Sequence, residues 1–159
     1  MDILKLKLPL KIYLPKPVKK GGGYMANSVL MEEIDFNSIN SKDIEELEGQ
    51  YDWIEAWHNS ERDKKFGGFN NEDVKMEVVY DKGNYIITLV SEKPFDTIVK
   101  NNRYHSPSDL WEDVTLKEAI MRFLEGCIWD GIGENEIGQV TYQNYKCDVW
   151  MCGDGLMEM

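Results

Sequence analysis

Val74-Lys75-Met76-Glu77-Val78-Val79-Tyr80-Asp81-Lys82-Gly83-Asn84-Tyr85-Ile86-Ile87-Thr88-Leu89-Val90 holds two strand-like runs around a turn. Val74, Met76, Val78 and Tyr80 alternate with Lys75, Glu77 and Asp81, the period of two that places apolar side chains on one face of a strand. Asp81-Lys82-Gly83-Asn84 supplies turn chemistry, and residues 85–90 return as the partner strand. The segment therefore predicts an antiparallel hairpin, which Pro94 ends.

Toward the C-terminus, residues 95–114 are irregular, with Asn101-Asn102 and Ser106-Pro107-Ser108 as loop signals. A helix follows. Thr115 and Glu118 are spaced as a capping box, and Leu116, Ala119, Ile120, Phe123, Leu124 and Cys127 form a broad apolar face. Gly126 weakens its last turns, and Asp130-Gly131-Ile132-Gly133 closes it. The tail predicts a second hairpin, residues 138–142 and 145–151, turning near Gln143-Asn144. In its second strand Tyr145, Cys147, Val149 and Met151 share one face, and Lys146, Asp148 and Trp150 the other. Trp150 on the more polar face is either a packed aromatic or a contact residue.

Toward the N-terminus, Ser41 suits a helix N-cap, and apolar Ile44, Leu47, Tyr51, Ile54 and either Trp57 or His58 follow three-four spacing. This predicts a helix from Lys42 toward Lys65, with a break or kink open at Gly49 and an end at Gly67-Gly68. Upstream, Leu4, Leu6, Leu8, Leu10, Ile12 and Leu14 alternate with Lys5, Lys7, Pro9, Lys11, Tyr13 and Pro15, which predicts an edge strand blunted by lysine and proline. It lacks the continuous apolar core of a signal peptide. The expected fold class is α+β: a mainly antiparallel sheet of two hairpins with an N-terminal edge strand, and two helices packed on one face.

Charge divides the chain at Lys19-Lys20-Gly21-Gly22-Gly23-Tyr24-Met25. Residues 1–24 carry six lysines and one aspartate; from Met25 onward twelve basic residues face twenty-eight acidic ones. Two readings of the seam stand side by side. Gly21 to Gly23 is a flexible linker, or the purine-rich codons for Lys-Lys-Gly-Gly form a ribosome-binding site that starts translation at Met25. The domain division is accordingly a basic strand-like leader over residues 1–24 and a single acidic domain over residues 25–159, whose 135 residues enclose one core. No apolar run is long enough to span a bilayer, and a cytoplasmic protein of a bacterial host is expected.

Chemical motifs are sparse. Cys127, Cys147 and Cys152 make no disulfide framework, and Cys147 and Cys152 fall on opposite faces of one strand. His58 and His105 lack ligand-spaced partners, and Glu134 and Glu136 after Gly131-Ile132-Gly133 would repel a phosphate. No catalytic residue, metal or cofactor is assigned. Direct nucleic-acid binding is disfavoured, because the only lysine cluster lies in the leader.

The remaining signal is acid. Asp43, Glu45, Glu46, Glu48, Asp52, Glu55 and Glu61 fall between Lys42 and Arg62 without one basic residue. On a helix Glu45, Glu48, Asp52 and Glu55 form a stripe, read either as a solvated face or as a docking face. The second reading makes the protein a non-enzymatic inhibitor of a basic nucleic-acid-handling protein. The target would be a bacterial defence nuclease antagonised by a phage or mobile element, with Trp53, Trp57, Trp111 or Trp150 as anchors. Toxin immunity is a related alternative. The competing class is a small-molecule-binding protein or small enzyme, with a pocket between the sheet and the segment from Tyr104-His105 to Trp111.

Overall fold

A computed structural model describes residues 1–15, 31–35, 53–107, 110–131, 135–142, 145–153 and 155–159. The charge seam, the expected N-cap Ser41, and Glu45, Glu48 and Asp52 of the acidic stripe lie outside the described residues. The fold is α+β, mostly antiparallel sheet with short helices packed against it. Its strands are β1 (Asp2–Pro15), β2 (Met31–Glu33), β3 (Val74–Asp81), β4 (Asn84–Ser91), β5 (Ile98–Asn102), β6 (Trp111–Thr115), β7 (Asn135–Tyr142), β8 (Tyr145–Gly153) and β9 (Met157–Glu158). The helices are α1 (Trp53–Asn59) and α2 (Leu116–Gly131). The main sheet runs β3-β4-β1-β8-β7, with β2 and β9 also paired to β1, while β5 and β6 form a separate two-stranded ribbon.

Both predicted hairpins form. In the first, β3 and β4 pair from Val74 with Ser91 to Asp81 with Asn84. Lys82 and Gly83 take left-handed φ values of 45° and 85°, the double positive pair of a tight turn whose twist matches its strands. In the second, β7 and β8 pair from Asn135 with Met151 to Tyr142 with Tyr145, with an irregularity between Glu136 and Gly138.

Strand β1 ties the hairpins together. Beside β3 and β4 it takes the edge place that its alternation predicts, pairing with β4 over Asp2–Pro9; two residues of β9 pair along its other side, at Leu6 and Lys7. From Leu10 the same strand runs on and pairs with β8, and over Tyr13–Pro15 with β2. Its even-numbered residues Leu4, Leu6, Leu8, Leu10, Ile12 and Leu14 are all buried. They share the inner sheet face with Ile87 and Leu89 of β4 and Val149 and Met151 of β8, because directly paired residues point the same way.

Helix α2 covers this face with the residues its periodicity selects: Leu116, Ala119, Ile120, Phe123, Leu124 and Cys127 are buried. Its cap is half of the expected box. The Glu118 amide donates to the Thr115 hydroxyl at 3.2 Å, but the Glu118 carboxylate goes to Arg122, one turn on, at 2.9 Å. The expected long first helix is shorter where described. Helix α1 stops at Asn59, Ser60 interrupts it, and the chain resumes as a π turn over Asp63–Gly67. Gly68 ends the turn at φ 81°, where an added Cβ would lie 2.1 Å from the Lys100 carbonyl oxygen, so only glycine fits. Among the described residues no helix is long and apolar enough to cross a membrane.

Residues 95–114 were expected to be irregular but carry the β5–β6 ribbon. Asn101 and Asn102, read as loop residues, sit in β5 at 2% and 0% exposure. The Asn102 side chain supplies turn chemistry to the following loop and that of Asn101 bonds the distant Gly67 and Arg122, while their backbones pair with Trp111 and Glu112.

A chain starting at Met25 would lose all of β1 and its six core side chains. We expect residues 25–159 alone to show no cooperative thermal transition by circular dichroism. Leu8→Ala in the full chain should cost on the order of 2–5 kcal/mol in denaturant unfolding, with unchanged stability showing that β1 is not part of the core.

Candidate functional site

A cavity of about 480 Å³ opens between the end of α1 with the residues that follow it, the second half of α2, and the loop between β5 and β6. Ala56 and Asn59 of α1 form one wall, followed by Ser60, Glu61 and Arg62; Arg122, Phe123, Gly126 and Cys127 of α2 form another, and His105 closes the third. A pocket was expected between the sheet and the segment around His105. His105 does line one, but its opposite walls are helical, and among the described residues no sheet residue contributes. The volume falls within the range of small-molecule sites.

Packing fixes the helical walls. Trp57 is 1% exposed, with its ring centroid 5.7 Å from those of Phe69 and Phe123. The Asn71 side-chain amide donates to the Trp57 carbonyl, which ties α1 to the turn before β3. Trp57 was a candidate partner-binding residue; instead its face of α1 is core, because the ring fills the gap between α1 and α2.

The third wall is organised by two buried amides. Asn102 donates to the Ser106 carbonyl at 2.5 Å, and its side-chain oxygen accepts from the amides of Tyr104 at 3.2 Å and Ser106 at 3.4 Å. This wraps the loop tightly enough to hold His105 at φ 49°, a left-handed conformation that is strained for a side chain with a Cβ. Asn101 donates to the Gly67 carbonyl at 3.0 Å and accepts from Arg122 Nη1 at 3.0 Å. Arg122 Nη2 also meets Glu118 at 2.9 Å and Glu112 at 3.0 Å. Its guanidinium is therefore a fixed strut between α2 and the ribbon, with its charge already matched.

Electrostatics distinguish two groups. Burial, and then the charge of Arg62, hold the His105 imidazole below its ordinary value of 6.5, so the ring is neutral at physiological pH and offers one donor and one acceptor. Its ring stands nearly perpendicular to that of Phe66, with centroids 6.3 Å apart. Asp63 is 0% exposed, and neither carboxylate oxygen has a hydrogen-bond partner among the described residues. Burial pushes it up to about 7; Ser60 favours the ionised form, but without hydrogen-bond geometry good enough to offset the loss of water.

The acidic and aromatic candidates among the described residues lie on three elements, α1, β6 and β8. Glu55 is exposed on α1. Trp53 belongs to α1, and its side chain lies outside the described set. Trp150 is half-buried opposite Tyr13 on the outer sheet face, away from the core-facing Val149 and Met151. Trp111 is 43% exposed and packs on Phe66 at 6.0 Å. Among the described residues no three His, Cys, Asp or Glu side chains are gathered for a metal ion. Sequence reading missed Arg62, Asp63, Asn101 and Arg122. Only the Glu118 to Arg122 spacing gave a legible signal, as an i,i+4 pair.

Asp63 has a directional consequence for stability. Its folded pKa of about 7 exceeds the unfolded value near 3.9, so the native state binds the proton more tightly. That contribution is complete below about pH 4 and is lost as pH rises through 7. Asp63→Asn should flatten the pH dependence of unfolding between 4 and 8 and stabilise the protein at pH 8, by roughly 4 kcal/mol at most. An unchanged slope in denaturant titrations would show that the carboxylate is solvated.

No family model matches this chain, and neither a curated protein nor a solved structure shows significant similarity to it.

Proposed function

We propose that the protein is a small-molecule-binding protein whose site is the cavity beside His105. The observation that carries this reading is the convergence of His105 and Arg62 with Ser60 and Asn59 at a recess backed by Phe123 and Ala56. A mostly apolar recess with a few fixed polar groups orients a ligand through hydrogen bonds and holds it by burial of its apolar body. The wall is preorganised: His105 is held by the Asn102 loop, and Arg122 by its three partners. Little ordering entropy is then lost when a ligand enters.

Gly126 offers a test. A Cβ added there meets nothing within 4 Å, so a side chain can enter open space at the cavity wall. Gly126→Ala should stabilise α2 by about 1 kcal/mol through helix propensity. Gly126→Phe should fold and fill the recess. In ligand-observed NMR with a mixture of small carboxylates, amines and neutral aromatics, compounds that bind the wild type should be lost in Gly126→Phe. Equal binding to both proteins would rule out this cavity as the site.

A second reading keeps the acidic protein as an antagonist of a basic nucleic-acid-handling partner. Its support is the charge balance after Gly23 and the exposure of Glu55 on α1, the one member of the stripe in the described residues. It requires an interaction that weakens steeply with salt and is lost when Glu45, Glu48, Asp52 and Glu55 are changed to Gln, while Gly126→Phe leaves it intact. Retention of full binding by the quadruple variant would exclude the stripe.

A further inference from the structure

We infer that the cavity beside His105 selects a small monocarboxylate with a ring-sized apolar body, bound through Arg62 and His105; this rests on the cavity being a ligand site. The charged groups on its wall are unequal. Arg122 is neutralised by Glu112 and Glu118, which hold it from two directions. Arg62 makes no ion pair among the described residues, yet it lies on the same wall. Glu61, beside it in sequence, is the only carboxylate on the lining among the described residues. The two have different effects at the third wall: the charge felt by the His105 ring is that of Arg62. An incoming group at His105 therefore shares the recess with Arg62, whose charge reaches that ring.

Arg62, the one lining cation without an ion pair among the described residues, sets the ligand's charge. A carboxylate accepts from the guanidinium in a planar, two-pronged arrangement and can take a further hydrogen bond from a neutral imidazole N–H. A phosphate dianion would need a second unmatched cation, and Glu61 would oppose it. An ammonium would face Arg62 directly. The apolar body follows from the other walls, where Phe123, Ala56 and Gly126 offer carbon surface and open space rather than further donors. Ser60 and Asn59 then contact the rim of the ligand instead of its charge.

The site also reports its own occupancy. Anion binding next to the imidazole offsets the Arg62 charge that depresses its protonation, so the His105 titration should move upward when the ligand binds, by linkage. His58 is the only other histidine and is exposed on α1, so the His105 resonances can be assigned by their disappearance in His105→Gln.

The experiment uses the full chain and three probes of similar shape: benzoate, the neutral benzamide and the cationic benzamidine. Binding is followed by NMR at the His105 imidazole and by calorimetry. Benzoate should bind at least about tenfold tighter than benzamide, the size of one charge-assisted contact, and should raise the His105 titration midpoint. Arg62→Gln should bring benzoate down to the affinity of benzamide while leaving benzamide binding unchanged. If benzamide or benzamidine equals benzoate, or Arg62→Gln weakens all three alike, the carboxylate assignment is overturned and the cavity remains a ligand site. If none of the three binds at millimolar concentration, and Gly126→Phe also changes no compound's binding, the cavity reading falls together with the assignment.

Discussion

Six side chains at every second position of one strand, Leu4 to Leu14, fill the middle of the inner sheet face, and the other elements are arranged around them. Burial of each contributes on the order of 1.5–3 kcal/mol, more together than any polar contact in the molecule could supply. The row works because β1 is 14 residues long, roughly 45 Å at strand rise, while β4 and β8 each pair with only part of it. β1 thus stands between β4 and β8 in the sheet order and brings both into one core without their pairing with each other. The alternate residues Lys5, Lys7 and Lys11 keep the outer face polar, which fixes the register: a slip by one residue would bury lysines.

Where the apolar core ends, buried polar groups take over the positioning. Asn101, Asn102 and Arg122 join the ribbon, the π turn and α2 through hydrogen bonds with little freedom, and so decide the shape of the cavity beside His105. Asp63 is the exception, a buried carboxyl whose oxygens have no well-formed hydrogen bond among the described residues. It lies one residue from Arg62, so the same short segment carries a group costly for stability and a cation on the cavity wall. Such pairings of local strain with a recess are common where structure is shaped by binding as well as by folding.

Much of the framework was readable because local periodicity survived packing. The Val74 to Val90 hairpin, the tail hairpin and the apolar face of α2 are governed by alternation, three-four spacing and turn residues, all of which act over short distances. The β5–β6 ribbon is not legible locally because the Asn102 side chain carries turn chemistry and Asn101 reaches the distant Gly67 and Arg122, while both backbones stay extended. The place of Trp57 was ambiguous for another reason: a helix with aromatic residues at positions 53 and 57 leaves both core and surface open until Phe69 and Phe123, distant in sequence, are brought against it. The cavity was only half legible. His105 could be singled out as a rare residue type, but Arg62 reads as one more charge in Arg62-Asp63-Lys64-Lys65, and only tertiary structure separates a buried carboxyl from its solvated neighbours.

The sheet order has a consequence for how the chain comes together during synthesis. β1 precedes its partners by a long interval: β4 ends at Ser91, and β8 at Gly153. At about 5–20 residues per second, the apolar row waits on the order of ten seconds before its second neighbour is complete. Until β4 is made the first half of β1 lacks its partner, and until β8 is made Leu10–Tyr13 does, which leaves the kind of open strand that templates association with other chains. Lys5, Lys7, Pro9 and Lys11 then serve as gatekeepers, interrupting the apolar sequence at every second residue with charge or with a missing amide donor. The alternation that divides the faces of the finished sheet also protects the nascent chain until the last hairpin arrives.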